Sequence, residues 1–147
     1  MAEIRYEDSM LIDAERERVF DYRLDFSNLP QYNPNVSNLR IINKTADLGP
    51  GTEYLFDLHL PGADPLESPI RITTVERPSS FRYETGPGWM AEGQCTFEPQ
   101  DNGTLVTLGY TLRFPGEIDD ATAEQMASAG RGETTIELQN MKKILEG

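Results

Sequence analysis

The sequence predicts an α+β domain: a curved antiparallel sheet of about seven strands wrapped around a long C-terminal helix, with two short helices after the first strand. Three observations predict it. From Val36 to Phe114 apolar residues recur with period two, interrupted by Gly, Pro and Asn turn chemistry. After Pro115-Gly116 the spacing becomes helical and stays so to the end of the chain. At 147 residues there is room for one core and no second, so residues 1–147 read as a single domain.

Taken in order, Ile4, Tyr6, Met10 and Ile12 alternate on one side of a first strand, with Asp8 as the polar interruption. Asp13 stands where a helix N-cap belongs, Glu15 and Glu17 follow where the dipole favours negative charge, and Val19, Phe20 and Leu24 share a face. Ser27 and Asn28 offer a second cap, and Asn33-Pro34 ends that helix after one or two turns. Val36–Asn43 is the next strand, closed by Gly49-Pro50-Gly51. In Thr52–Leu60, Tyr54, Phe56, Leu58 and Leu60 face one way and Glu53, Asp57 and His59 the other. The three prolines and the glycine of Pro61–Pro69 predict a loop with no strand through it, placed at a sheet end as a lid would be.

Ile70–Glu76 resumes the sheet, with Val75 out of parity and therefore a bulge. Phe81, Tyr83 and Thr85 form one side of the following strand. Beyond Gly86-Pro87-Gly88, Trp89, Ala91, Gly93, Cys95 and Phe97 line up on one side of another. Asp101-Asn102-Gly103 predicts a tight hairpin into the last strand, where Val106, Leu108, Tyr110, Leu112 and Phe114 alternate cleanly. Asp119 or Asp120 caps the final helix, in which Leu138, Met141 and Leu145 share a stripe. Gly130 and Gly132 weaken its first half, either as a frayed or kinked start or as small side chains that leave room beneath the helix.

Composition excludes several function classes. Lys and Arg number 13 against 25 Asp and Glu, a net charge of −12, which repels phosphate backbones and anionic headgroups, so nucleic acid is not an expected partner. Cys95 and His59 are each the only residue of their kind, which leaves no disulfide, no expected metal site and no Ser-His-Asp arrangement. No apolar run suits a membrane span or a signal-peptide core, and the cytoplasm is the default location. No cofactor is expected.

The parity places an unusually aromatic set on the inner face: Tyr54, Phe56, Phe81, Tyr83, Trp89, Phe97, Tyr110 and Phe114. Phenol and indole groups seek hydrogen-bond partners when buried, which disfavours a dry solid core. Aromatic walls with a few hydroxyls suit a pocket for an apolar, ring-containing small molecule. Parity turns His59 and Arg113 outward and leaves Asp8 open, so it identifies no secure inward His, Arg or carboxylate.

Ile12-Asp13-Ala14 with Val19-Phe20, then Asp25, Leu29-Pro30, Tyr32-Asn33-Pro34, Gly49-Pro50-Gly51-Thr52, Glu76-Arg77-Pro78, Phe97-Glu98-Pro99 and Gly103-Thr104 occur in an order that resembles the START/SRPBCC helix-grip superfamily, in particular its polyketide cyclase/dehydrase-like branch. The resemblance spans nearly the whole chain. It implies an internal cavity for lipids, polyketides, sterols or similar hydrophobic molecules, and it includes both binders and enzymes that cyclise or dehydrate polyketides.

Three functions follow as alternatives. The first is the binding or carrying of a small hydrophobic or aromatic molecule between sheet and helix, with Tyr54, Phe56, Leu58, Phe81, Tyr83, Trp89, Tyr110, Leu112 and Met126 as the expected ligand-binding residues. The second is a cyclase or dehydratase with Tyr83 and Tyr110 as the catalytic candidates. The third is a regulatory module that meets a protein partner through its acidic surface or the Pro61–Pro69 loop.

Overall fold

The computed structural model describes residues 2–147. Seven strands form one antiparallel sheet: β1 (Ala2–Ile12), β2 (Val36–Asn43), β3 (Glu53–Leu58), β4 (Leu66–Glu76), β5 (Ser80–Thr85), β6 (Ala91–Gln100) and β7 (Gly103–Phe114). Their spatial order is β1-β7-β6-β5-β4-β3-β2, so the meander from β2 to β7 is extended at its far edge by β1. Two short helices, α1 (Arg16–Leu24) and α2 (Leu29–Tyr32), follow β1, and the long helix α3 (Asp120–Glu146) closes the chain. This is the helix-grip architecture.

Local chemistry accounts for most boundaries. Asp119 caps α3 by accepting from the Thr122 N–H at 2.7 Å. Gly103 pairs with Gln100 across a two-residue turn at Asp101-Asn102. The register shift between Ile72 and Thr74 is the bulge that Val75 announces. Helix α3 runs unbroken through Gly130 and Gly132.

Three boundaries differ from expectation. Asp13 does not cap α1; Glu15 holds that position, while the Asp13 N–H donates to the Glu146 carboxylate at 2.7 Å, because the chain is still turning out of β1 there. Strand β4 begins at Leu66 and passes through Pro69. Ile72 exchanges hydrogen bonds with Thr52 and Gly51 on the β3 side, so the nitrogen of Pro69 faces the opposite side, beyond Thr85 where β5 ends, and no ladder bond is lost. Trp89 precedes β6 in a short turn with φ +57°, so strand parity does not govern its direction.

The core is solid at one end. Phe20 of α1 meets Phe81 and Phe97 edge-on, at centroid separations of 5.8 and 5.2 Å, and Phe81 stacks on Phe97 at 5.9 Å. Val19, Ile12, Val106 and Leu108 are buried beside them. Toward α2 and the middle of α3 the layers separate.

Candidate functional site

One row of inward-facing residues crosses the sheet where the layers part. Tyr83 on β5 pairs with Gly93 on β6, Gly93 with Tyr110 on β7, and Tyr110 with Tyr6 on β1. The glycine is required there: a Cβ at Gly93 would lie 2.1 Å from Tyr83 Cζ, so the Tyr83 ring lies across the space a side chain would fill. Gly130 on α3 has the same relation to Tyr6, at 2.3 Å from its Cζ. The small-residue reading of α3 therefore holds at Gly130, while at Gly132 a Cβ would meet nothing within 4 Å.

This row borders a cavity of about 200 Å³ between sheet and helix. Phe26, Leu29, Val36, Phe56, Leu58, Ile70 and Leu112 supply apolar wall, and the exposed residues Leu66, Pro87 and Glu133 mark where it meets solvent. If dry and closed, such a void would cost about 5 kcal/mol at roughly 24 cal/mol per Å³. That is comparable to the stability of a whole domain, so an opening to water or an occupant is favoured.

One end of the cavity is polar, through an Arg and a carboxylate that strand parity does not identify. Arg23 of α1 is 1% exposed and Glu137 of α3 is 4% exposed; both line the cavity, with Nη2 to Oε1 at 3.7 Å. Asn33, just after α2, donates Nδ2 to Glu137 Oε2 at 2.7 Å and to Glu133 Oε1 at 3.3 Å. Arg23 Nη2 donates to the Tyr83 hydroxyl at 3.4 Å, and the Tyr83 and Tyr110 hydroxyls are hydrogen-bonded to each other. Aromatic faces complete the guanidinium's surroundings, with Phe26, Tyr32 and Tyr83 centroids 5.0, 5.2 and 5.8 Å away. Arg23 Nε and Nη1 and Glu137 Oε1 nonetheless have no hydrogen-bond partner.

Burial dominates the acid–base properties of this end. It raises the Glu137 carboxyl above its usual range, against the opposing pull of Arg23 and Asn33 and with a smaller push from Glu133. It raises Tyr83, Tyr110 and Tyr32 as well, and brings Tyr6 up to about 12, with Glu133 and Glu137 adding to the rise. Cys95 is driven to about 11 by burial and is a neutral thiol of the core. The tyrosines are thus neutral hydrogen-bond donors around pH 7.

Of the residues expected to meet a ligand, Phe56, Leu58, Tyr83, Tyr110 and Leu112 line the cavity. Tyr54 and Phe81 are buried in the packed aromatic cluster around Phe26, with centroid separations of 5.6 and 6.1 Å from its ring. Trp89 lies over the Arg71 guanidinium at 4.2 Å, held there by the turn before β6. Met126 lies one turn before Gly130 on α3 and is not part of the lining. Sequence reasoning missed Arg23, Asn33, Glu137 and Tyr6 as lining residues. Helical spacing carried a signal for two of them: Arg23 is four residues after Val19 and three after Phe20, and Glu137 is four before Met141, so each shares the buried stripe of its helix. Asp8 is half-buried beneath α3, where it accepts from the Thr135 hydroxyl. Among the described residues no three His, Cys, Asp or Glu side chains gather to hold a metal ion, and no helix is long and apolar enough to cross a membrane.

A family profile described as polyketide cyclase / dehydrase and lipid transport matches residues 3–146, and the chain belongs to that family. No curated protein sequence matches significantly. Among solved structures, the di-domain ARO/CYC StfQ from the steffimycin biosynthetic pathway is similar, with a TM-score of 0.80 and 13% identity over 98% of this chain; the chain spans about half of that protein, 51% of its length. The KanY protein matches with a TM-score of 0.78 and 19% identity over 100% of both chains. A protein of Thermus thermophilus matches with a TM-score of 0.72 and 20% identity, covering 97% of this chain and 95% of that one. At these identities the likenesses carry the fold.

Proposed function

We propose that this member of the polyketide cyclase / dehydrase and lipid transport family binds a small, ring-containing hydrophobic molecule in the cavity between its sheet and α3. The supporting observation is the cavity itself: apolar over most of its wall, open at Leu66 and Pro87, and polar at one end through Arg23, Asn33, Glu137 and the tyrosine pair. Few convergent polar groups on an apolar lining are what orient a small ligand. A cavity of about 150 Å³ is large enough for benzene, so one of about 200 Å³ takes an aromatic ring with two or three further heavy atoms. Larger molecules fit by extending through the mouth.

The test is a methyl-resolved NMR titration with toluene. Saturable shifts are expected at Val36, Leu58 and Leu112, which line the cavity, and none at the exposed Ile41 and Ile42. Shifts confined to the exposed pair, or no saturation, overturn the reading.

A second reading, an enzyme of the cyclase or dehydratase type, has one observation in its favour: Tyr83 and Tyr110 share the cavity wall with an arginine. Such an enzyme needs its acid within about 3 Å of a reacting oxygen. Turnover of a carbonyl-rich substrate that falls in Tyr110→Phe with binding retained supports it; equal turnover removes both candidates.

A further inference from the structure

We propose that the cavity selects ligands bearing a neutral hydrogen-bond acceptor, a ketone on an aromatic ring being the fitting case, and that the Tyr110 hydroxyl is the donor that reads it. This rests on the cavity being a binding site for small ring-containing molecules, and it adds the direction of one hydrogen-bond chain.

The chain begins at Arg23. A guanidinium only donates, so its contact with the Tyr83 hydroxyl at 3.4 Å occupies a lone pair of the Tyr83 oxygen. Between Tyr83 and Tyr110, either hydroxyl has the geometry to donate. Tyr83 is 2% exposed, and its hydroxyl has two hydrogen-bond partners, Arg23 and Tyr110. Were Tyr110 the donor, the Tyr83 proton would be left without a protein acceptor on a side chain that is almost wholly buried, a costly arrangement. With Tyr83 donating, both hydroxyls of the pair are used, and the remaining proton is that of Tyr110, which is half-buried and borders the cavity. A cation at the head of the chain polarises each O–H in turn and strengthens the last donor. Tyr6, the next residue in the row, has no cation-led chain behind it.

Charge on the same wall sets the second half of the inference. Glu137 already pairs with Arg23, the cation of this wall, Asn33 bridges Glu137 to Glu133, and Glu133 stands exposed at the mouth. An anionic ligand would enter a poorly solvated space whose cation is already paired, past the acidic side chain at its mouth. A neutral carbonyl accepts the Tyr110 proton without that penalty.

The experiment compares acetophenone with α-methylstyrene, which has CH2 in place of the carbonyl oxygen, in wild type and in Tyr110→Phe, Tyr83→Phe and Tyr6→Phe. The ratio of the α-methylstyrene Kd to the acetophenone Kd is expected to fall by about 3- to 10-fold in Tyr110→Phe, through weaker ketone binding alone. Tyr83→Phe lowers it partway, and Tyr6→Phe, which also alters the cavity wall, lowers it less than Tyr110→Phe does. The infrared carbonyl stretch of bound acetophenone reports the same bond: it lies below its value in hexane for wild type and returns to that value in Tyr110→Phe. Benzoate at pH 7 is expected to bind more weakly than acetophenone. An unchanged ratio and stretch in Tyr110→Phe, a larger loss in Tyr6→Phe than in Tyr110→Phe, or tighter binding of benzoate overturns the proposal while leaving the cavity as a binding site. Failure of both neutral compounds to bind overturns the site itself.

Discussion

Replacing Gly93 by Ala tests whether the tyrosine row is packed as described. The new Cβ would lie 2.1, 2.4 and 2.6 Å from Tyr83 Cζ, Cε1 and Cε2, where ordinary contact begins near 3.4 Å. The ring must therefore move by more than about 1 Å in a close-packed region. It has little freedom to do so, since Phe26 meets it edge-on at 4.8 Å and Tyr110 at 6.0 Å. Overpacking of this kind costs about 1–3 kcal/mol, and loss of the hydroxyl contact with Tyr110 adds about 1 kcal/mol. Alanine recovers roughly 0.5–1 kcal/mol of strand preference over glycine. The net expectation is a loss of about 1–3.5 kcal/mol, read by urea denaturation, or a fall in Tm of roughly 3–12 °C for a chain of this length. In a Tyr83→Ala background the same Gly93→Ala change should be neutral or slightly stabilising, because the space is free; the coupling between the two sites is then at least as large as the single-variant loss. Equal cost in both backgrounds, or a single-variant change within about 0.5 kcal/mol, would refute the packing argument.

Three further outcomes are expected. Gly132→Ala should raise thermal stability by about 1 kcal/mol through helix propensity, whereas Gly130→Ala should lower it because its Cβ meets the Tyr6 ring at 2.3 Å; melts of the same sign for both would contradict the placement of α3. Arg23→Met should cost about 3–5 kcal/mol by leaving the Glu137 carboxylate without its cation, and adding Glu137→Leu should regain most of it in chemical denaturation. Alkaline pH should unfold the protein: Tyr32 and Tyr83 are raised by burial, so their stabilising contribution is full below the unfolded pKa near 10 and is lost above it, about 1.4 kcal/mol each at pH 11. Phenylalanine at both positions should remove their share of that loss in a pH series of denaturation curves, leaving the part owed to Tyr6, Tyr110 and Cys95.

The fold was legible because its signals are local and repeated. Alternation in β7, the Asp101-Asn102-Gly103 turn, the bulge at Val75 and the Leu138-Met141-Leu145 stripe each appear in the structure as the sequence predicts. The misplaced elements share a cause: whether Pro69 interrupts a strand depends on which neighbour its nitrogen faces, and whether Trp89 points inward depends on a turn that precedes its strand. Much of the apolar wall was legible in the same way, since parity identifies Phe56, Leu58, Tyr83, Tyr110 and Leu112.

The groups that join the tyrosine pair at the cavity's polar end, Arg23, Asn33 and Glu137, were not. A polar residue on an apolar stripe has two outcomes with the same local pattern, exposure by bending away or burial against a partner, and the partner decides between them. Arg23, Asn33, Tyr83 and Glu137 come from four separate segments of the chain, and no spacing rule brings them together. The sequence by itself determined strand parity, turns and the helix that covers the sheet, because those depend on neighbours a few residues away. Only the tertiary structure decided where the layers pack solid, where they part, and which charges meet there, because burial of an ion is a property of what surrounds it in space.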